Sequence, residues 1–145
     1  MARDTTLSEE IADKFNHIAW HDSKFINLEL LPDSDGIYDL SLKVKLPAVT
    51  QSGEDEWEDR RLVLKECRII QLDLDLFAMQ LTGGDIASAI CEIDAEEREK
   101  LERDKLKDFD LPQEDYPLND FLFFKITLIH PGGDLKVFAK SFELM

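Results

Sequence analysis

The chain has 145 residues, of which 43% are hydrophobic, and its 32 acidic residues outnumber 17 basic ones to give a net charge of −15. A chain of this size buries a core without staples, and we expect residues 1–145 to form a single globular domain. The negative charge repels phosphate groups, which argues against nucleic-acid and anionic-membrane binding and favours a basic protein partner. No segment approaches the roughly 18 apolar residues of a membrane span, and the N-terminus lacks an apolar signal region, so the sequence predicts a cytoplasmic protein.

A short amphipathic helix is predicted at the N-terminus. Thr6 and Glu9 have the spacing of a capping box. Apolar residues then recur at helical spacing at Leu7, Ile11, Phe15 and Ile18. This pattern predicts a helix with one buried face that ends near Ile18.

The next residues alternate between apolar and polar, as in β-strands. Residues 26–30 and 38–46 alternate strictly, and the Pro-Asp-Ser-Asp-Gly stretch at 32–36 is typical of a turn. The two strands are therefore predicted to form a hairpin with one wet face, as in an antiparallel sheet. Residues 47–60 are predicted to be a polar loop. Residues 62–76 are predicted to be strand with a bend or bulge at 66–68.

The second half of the chain contains one ambiguous segment and one clear hairpin. Residues 86–93 fit either a helix or a strand, and the strand is favoured. Residues 95–108 are rich in helix-forming charged residues and predict an exposed helix. Strand patterns at 122–128 and 135–144 flank a Pro-Gly-Gly-Asp turn. The sequence thus predicts an α+β domain: an antiparallel meander sheet of about six strands, with an N-terminal helix and a second charged helix near residues 95–108.

The stretch Ala-Trp-His-Asp-Ser at 19–23 contains residue types that are common in active sites. Consecutive residues cannot converge as a Ser-His-Asp triad, which argues against a hydrolase. His17 and His21 would share one helix face if the helix ran through Trp20, and Asp22 would then be a third candidate metal ligand. The alternative is a junction between helix and strand, in which Asp22 and Ser23 bind free main-chain groups.

A tryptophan among acids marks the predicted 47–60 loop. The candidate partner-binding residues are Glu54, Asp55, Glu56, Trp57, Glu58 and Asp59. Tryptophan is favoured at the centres of protein interfaces, and surrounding carboxylates would attract a basic partner. The alternative is that Trp57 packs back on the sheet and the acids only face water.

No catalytic constellation and no cofactor motif is present, and Cys67 and Cys91 lack metal-ligand spacing. This small, acidic, antiparallel profile resembles that of bacterial immunity proteins, which neutralise basic toxin domains; the resemblance is one of composition and supplies no residues. The sequence therefore favours a non-enzymatic protein-binding domain without a cofactor. The alternatives are a metal-binding protein or metal-dependent enzyme using His17, His21 and Asp22, and a structural subunit, monomeric or homodimeric through Phe121 and Phe123.

Overall fold

The computed structural model describes residues 5–32, 37–49, 55–82, 84–93, 100, 103–104, 121–130 and 132–145. Its helices and strands are, in chain order, α1 (Thr5–Asn16), a 3-10 turn (Trp20–Asp22), β1 (Lys24–Pro32), β2 (Tyr38–Val49), β3 (Asp55–Cys67), β4 (Ile69–Leu74), α2 (Leu76–Thr82), β5 (Asp85–Glu92), β6 (Leu122–His130), β7 (Gly133–Ala139) and β8 (Ser141–Leu144). No helix in this described part of the chain is long and apolar enough to cross a membrane.

All of these strands belong to one antiparallel sheet. Their order across the sheet is β4-β7-β6-β5-β1-β2-β3-β8. The alternation of the sequence explains its two faces. In β2 the apolar residues Leu40, Leu42 and Val44 are fully buried, whereas Lys43 between them is exposed. The predicted α+β fold, a mainly antiparallel sheet with an N-terminal helix, is therefore confirmed.

The sheet has eight strands rather than the predicted six because two long strands are each divided by a bend. Glu66 adopts a positive φ of 53° at the predicted bend between β3 and β4. Main-chain bonds from Lys140 N to Lys65 O (2.9 Å) and from Arg68 N to Phe138 O (2.8 Å) continue the pairing across both divisions. Because β4 and β8 stand at opposite ends of the strand order, this continuity joins the two ends of the sheet.

An aromatic cluster fixes α1 to the core. Phe15 is fully buried, and its ring centroid lies 5.0 Å from those of Trp20 and Phe124 and 5.2 Å from that of Phe142. Burying a phenylalanine contributes about 1.5–3 kcal/mol, and each aromatic pair adds about 1 kcal/mol. This cluster therefore stabilises the contact between the N-terminal helix and two strands near the C-terminus.

The end of α1 and the segment that follows it protect an open edge of β5. β1 and β5 pair only at Lys24 and Asp85, so within the described part of the chain most of that edge has no strand beside it. The Asn16 amide fills the place of a missing strand, because its Nδ2 donates to Cys91 O (3.0 Å) and its Oδ1 accepts from Cys91 N (2.8 Å). Side-chain and loop groups thus satisfy main-chain groups that an unpaired edge would leave exposed.

Two predicted boundaries near the N-terminus and in the middle of the chain were wrong. α1 ends at Asn16, two residues before the predicted end near Ile18, and the Asn16 side chain bonds β5 there. Much of the predicted 47–60 loop is strand instead, since β2 continues to Val49 and β3 begins at Asp55. Pairing along the whole of β2 overrides the low strand propensity of the acidic residues.

The predicted end of the 62–76 strand at Leu76 was also wrong. β4 ends at Leu74, and the Asp75 carboxylate accepts a hydrogen bond from Ala78 N (3.0 Å). This is the contact of a helix N-cap, and it starts α2. The favoured strand interpretation of residues 86–93 is confirmed by β5. Of the predicted helix at 95–108, only residues 100 and 103–104 are described, and these are helical; the rest of it lies outside the described residues.

A second, smaller core lies on the opposite face of the sheet. Phe123 and Phe138 are fully buried there with their ring centroids 5.1 Å apart, and Ile69 and the half-buried Phe121 pack beside them. Phe123 is therefore occupied within the chain and cannot form the homodimer face considered from the sequence. The Phe121 ring instead has the Lys140 ammonium 5.7 Å from its centroid.

Candidate protein-binding surface around Trp57

Trp57 lies on β3, and it is exposed but held in place. Its side chain is 47% exposed. The indole Nε1 donates to the main-chain oxygen of Asp22 (3.0 Å), and the Lys24 ammonium stands 5.0 Å from the ring centroid. A cation over an exposed tryptophan contributes about 0.5–1 kcal/mol, and the indole bond fixes the direction of the ring. We call Trp57, Asp22, Lys24 and Asp59 the Trp57 surface.

Strand register explains why these residues meet although they are distant in sequence. Lys24 pairs with Lys45 across β1 and β2, and Lys45 pairs with Asp59 across β2 and β3. Trp57 is two residues from Asp59 and therefore lies on the same face of the sheet. The ring consequently reaches over β2 to the start of β1 and to the 3-10 turn.

The acids predicted around Trp57 are partly balanced by neighbouring cations. Asp59 lies 4.0 Å from the Lys45 ammonium, and Glu58 lies 3.7 Å from the Arg60 guanidinium. Both carboxylates remain more than half exposed. Such surface pairs contribute only about 0–1 kcal/mol, so a basic partner can replace the internal cation at little cost.

Three of the candidate partner-binding residues remain to be placed: Glu54, Asp55 and Glu56. Asp55 and Glu56 belong to β3, and Glu54 lies outside the described residues. Sequence reasoning missed Asp22 and Lys24 as supports of Trp57. The strand register of the meander sheet could have indicated both residues. That register requires a strand at 55–60, and the sequence predicted a loop there.

The histidine pair does not share a helix face. α1 ends before His17, whose Nδ1 donates to Asp13 O (2.6 Å), and His21 Nδ1 donates to Ala87 O of β5 (3.3 Å). Among the described residues, no group of three His, Cys, Asp or Glu side chains is arranged to hold a metal ion. The predicted geometry of two ligands on one continuous helix is therefore not formed, while Asp22 contributes its main-chain oxygen to Trp57.

The 19–23 stretch has the structural role expected of a helix-to-strand junction. Trp20 is only 3% exposed, and its Nε1 donates to Phe15 O (2.8 Å). The buried Ser23 hydroxyl donates to Trp20 O, and Ser23 O accepts from Ile86 N (3.0 Å). These bonds connect the junction to both the helix and β5, as the junction interpretation predicts for Ser23.

Neither cysteine has the character of a nucleophile. Cys91 is buried and Cys67 is half-buried, and neither forms a disulfide. Burial raises the pKa of each thiol to about 12. Since the thiolate is the reactive form, both side chains are inert at neutral pH.

An apolar cavity inside the sheet is too small for a typical ligand. It has room for only about 10 Å³, roughly one water molecule, and is lined by Phe25, Leu74, Ile126, Leu128 and Leu135. Ligand sites usually measure about 300–1,000 Å³ and include a few polar groups. The Trp57 surface is therefore the stronger candidate for a binding function.

Comparisons of the chain with protein-family models, curated proteins and solved structures gave no match.

Proposed function

We propose that this protein is a non-enzymatic protein-binding domain that receives a basic partner on the Trp57 surface. The single observation that carries the proposal is the fixed, half-exposed ring of Trp57, held by Asp22 O and the Lys24 ammonium. An aromatic side chain that is already ordered loses little entropy when a partner covers it. Tryptophan is accordingly among the residues that contribute most at interfaces.

The negative charge of the chain supports the same proposal and indicates that the partner is positively charged. The chain carries a net charge of −15, and Asp59, on the same face of the sheet as the ring, has a side chain that is 65% exposed. Such a field accelerates encounter with a basic protein and opposes acidic ones. The partner is therefore a protein with a positively charged face.

The test compares partners captured by the wild-type protein with those captured by Trp57→Ala. Phe77→Ala is the matched control, because Phe77 is a 72% exposed aromatic residue on α2, away from β3. We expect Trp57→Ala to lower the affinity for a captured basic protein by at least about tenfold, and Phe77→Ala to leave it unchanged.

Lys24→Met gives a second, milder perturbation. It removes the cation above the ring but keeps an apolar side chain, and we expect it to weaken capture by about two- to fivefold, because the ring is less well ordered. Recovery of the same proteins at equal affinity by wild type and Trp57→Ala would show that the Trp57 surface is not the binding site.

A further inference from the structure

One edge of β3 is open beside Trp57. β3 pairs with β2 from Asp55 to Leu64 and again at Cys67. On its other side it pairs with β8 only from Leu62 to Lys65, and with Met145 at Arg61. Within the described residues, the stretch 55–60 therefore has a strand on one side only.

The main-chain groups that face this open edge can be assigned from the ladder. Arg61 N donates to Met145 O (2.9 Å), and Met145 N donates to Arg61 O (2.8 Å), so the main-chain groups of Arg61 face β8. Successive residues of a strand direct these groups to opposite sides. The N–H and C=O groups of Asp55, Trp57 and Asp59 therefore point to the open edge, whereas those of Glu58 point to β2.

We propose that the partner adds a strand to this edge: a basic, extended segment pairs with residues 55–60 of β3, antiparallel to β3 and continuing the line of β8. The proposal rests on the proposed function and specifies how the partner is recognised. Strand addition uses main-chain hydrogen bonds for affinity and alternate side chains for specificity. Here such a segment lies on the side of β3 away from β2, beside the Asp59 carboxylate and behind the Trp57 ring, which leans over β2 towards Asp22 and Lys24.

Charge selects the occupant of the edge. The sequence from 54 to 59 contains five acids and no basic residue. A second copy of this chain would place carboxylates opposite carboxylates, which opposes self-association of the edge. Lysines or arginines on alternate positions of an incoming strand would instead form cross-strand pairs of opposite charge.

The first experiment measures how the whole chain binds a synthetic peptide of about ten residues in which lysine and valine alternate. Binding is measured by isothermal titration for this peptide and for a copy that is N-methylated on alternate residues along the hydrogen-bonding edge. Both peptides have the same charge and side chains. We expect methylation to weaken binding at least about tenfold, because it removes the donors to β3 and obstructs the approach of the strands.

Hydrogen exchange locates the added strand. The Trp57 and Asp59 amides are expected to gain protection when the unmethylated peptide binds, while the Glu58 amide, which faces β2, keeps the protection that it has without peptide. A third arm attaches a lysine–valine extension after Met145, where it can occupy the edge from within the chain. This extension should abolish peptide binding, whereas a glycine–serine extension of equal length should not.

Equal affinity of the methylated and unmethylated peptides, within about twofold, would overturn strand addition, as would binding that survives the lysine–valine extension. If Trp57→Ala weakens peptide binding and methylation does not, the binding surface stands and the strand-addition mechanism falls. If neither change has an effect, both proposals fail.

Discussion

Replacing Asn16 by alanine tests whether a side chain substitutes for a strand at the β5 edge. The change removes the two hydrogen bonds between the Asn16 amide and the main chain of Cys91, at 3.0 Å and 2.8 Å. Each bond contributes about 0.5–1.5 kcal/mol, and an unsatisfied buried group costs about 1–3 kcal/mol. Asn16 itself is exposed, so water reaches part of the site and lowers the cost. We expect a loss of about 2 kcal/mol in the free energy of unfolding.

Urea unfolding at 25 °C measures the global effect, and the loss corresponds to a fall of about 4–8 °C in melting temperature for a chain of this size. Hydrogen exchange at the Cys91 amide measures the local effect, because that amide donates to Asn16 Oδ1. We expect its exchange to accelerate at least about tenfold in Asn16→Ala. Asn27→Ala is the control, since Asn27 is an exposed asparagine of β1, and its unfolding free energy should stay within about 0.5 kcal/mol of wild type.

Asn16→Asp separates the donor from the acceptor. Its carboxylate still accepts from Cys91 N but repels Cys91 O, and protonation below about pH 4 restores a donor. The destabilisation should therefore be present at neutral pH and shrink as the pH falls. Unchanged stability and unchanged Cys91 protection in Asn16→Ala would refute the idea that this side chain closes the edge.

Three further changes test other parts of the fold. Gly133→Ala should lower the free energy of unfolding by about 3 kcal/mol or more, because φ is +112° and the new Cβ would collide with the Asp73 carbonyl oxygen. Gly132→Ala, with φ of +90° and open space around the new Cβ, should lower it by about 1 kcal/mol, and thermal unfolding measures both losses. Asp73→Asn should raise the free energy of urea unfolding by about 0.2–1 kcal/mol, since Asp73 pairs directly with Asp134 across the ladder; a decrease would contradict this reasoning. Burial raises the pKa of Cys91 from 9.0 to about 12, so the unfolded chain loses this thiol proton first and the free energy of unfolding should fall as the pH rises from 9 towards 12. Urea unfolding of Cys91→Ala should show a shallower decline over this pH range, and an equal decline would contradict the assignment.

The elements that could be predicted from the sequence are those whose period is set by a single buried face. β2 shows this clearly, because Leu40, Leu42 and Val44 are all fully buried and alternate with polar residues. The helical spacing that includes Phe15 located α1 for the same reason. The bend at Glu66 was also predictable, since the alternation changes phase there.

The parts that could not be predicted depend on contacts between distant residues. β3 begins among acidic residues that resemble a loop, and only pairing with β2 makes them a strand. The support of Trp57 by Asp22 and Lys24 follows from that register and from a turn more than thirty positions earlier in the chain. The anchoring of α1 likewise depends on a distant residue, because the Asn16 side chain at its end bonds the main chain of Cys91 in β5.

The joining of the two sheet ends has a consequence for the order in which the chain folds. β1, β2 and β3 can pair locally as soon as they are synthesised. The pairing of β3 with β8 and the packing of Phe15 of α1 against Phe142 of β8 can form only after β8 is synthesised. Contacts of such large sequence separation slow folding, typically to milliseconds or seconds. We therefore expect a ribosome-bound chain to keep the apolar side of α1 uncovered until β8 emerges, so that closure of β3 with β8 limits the folding rate.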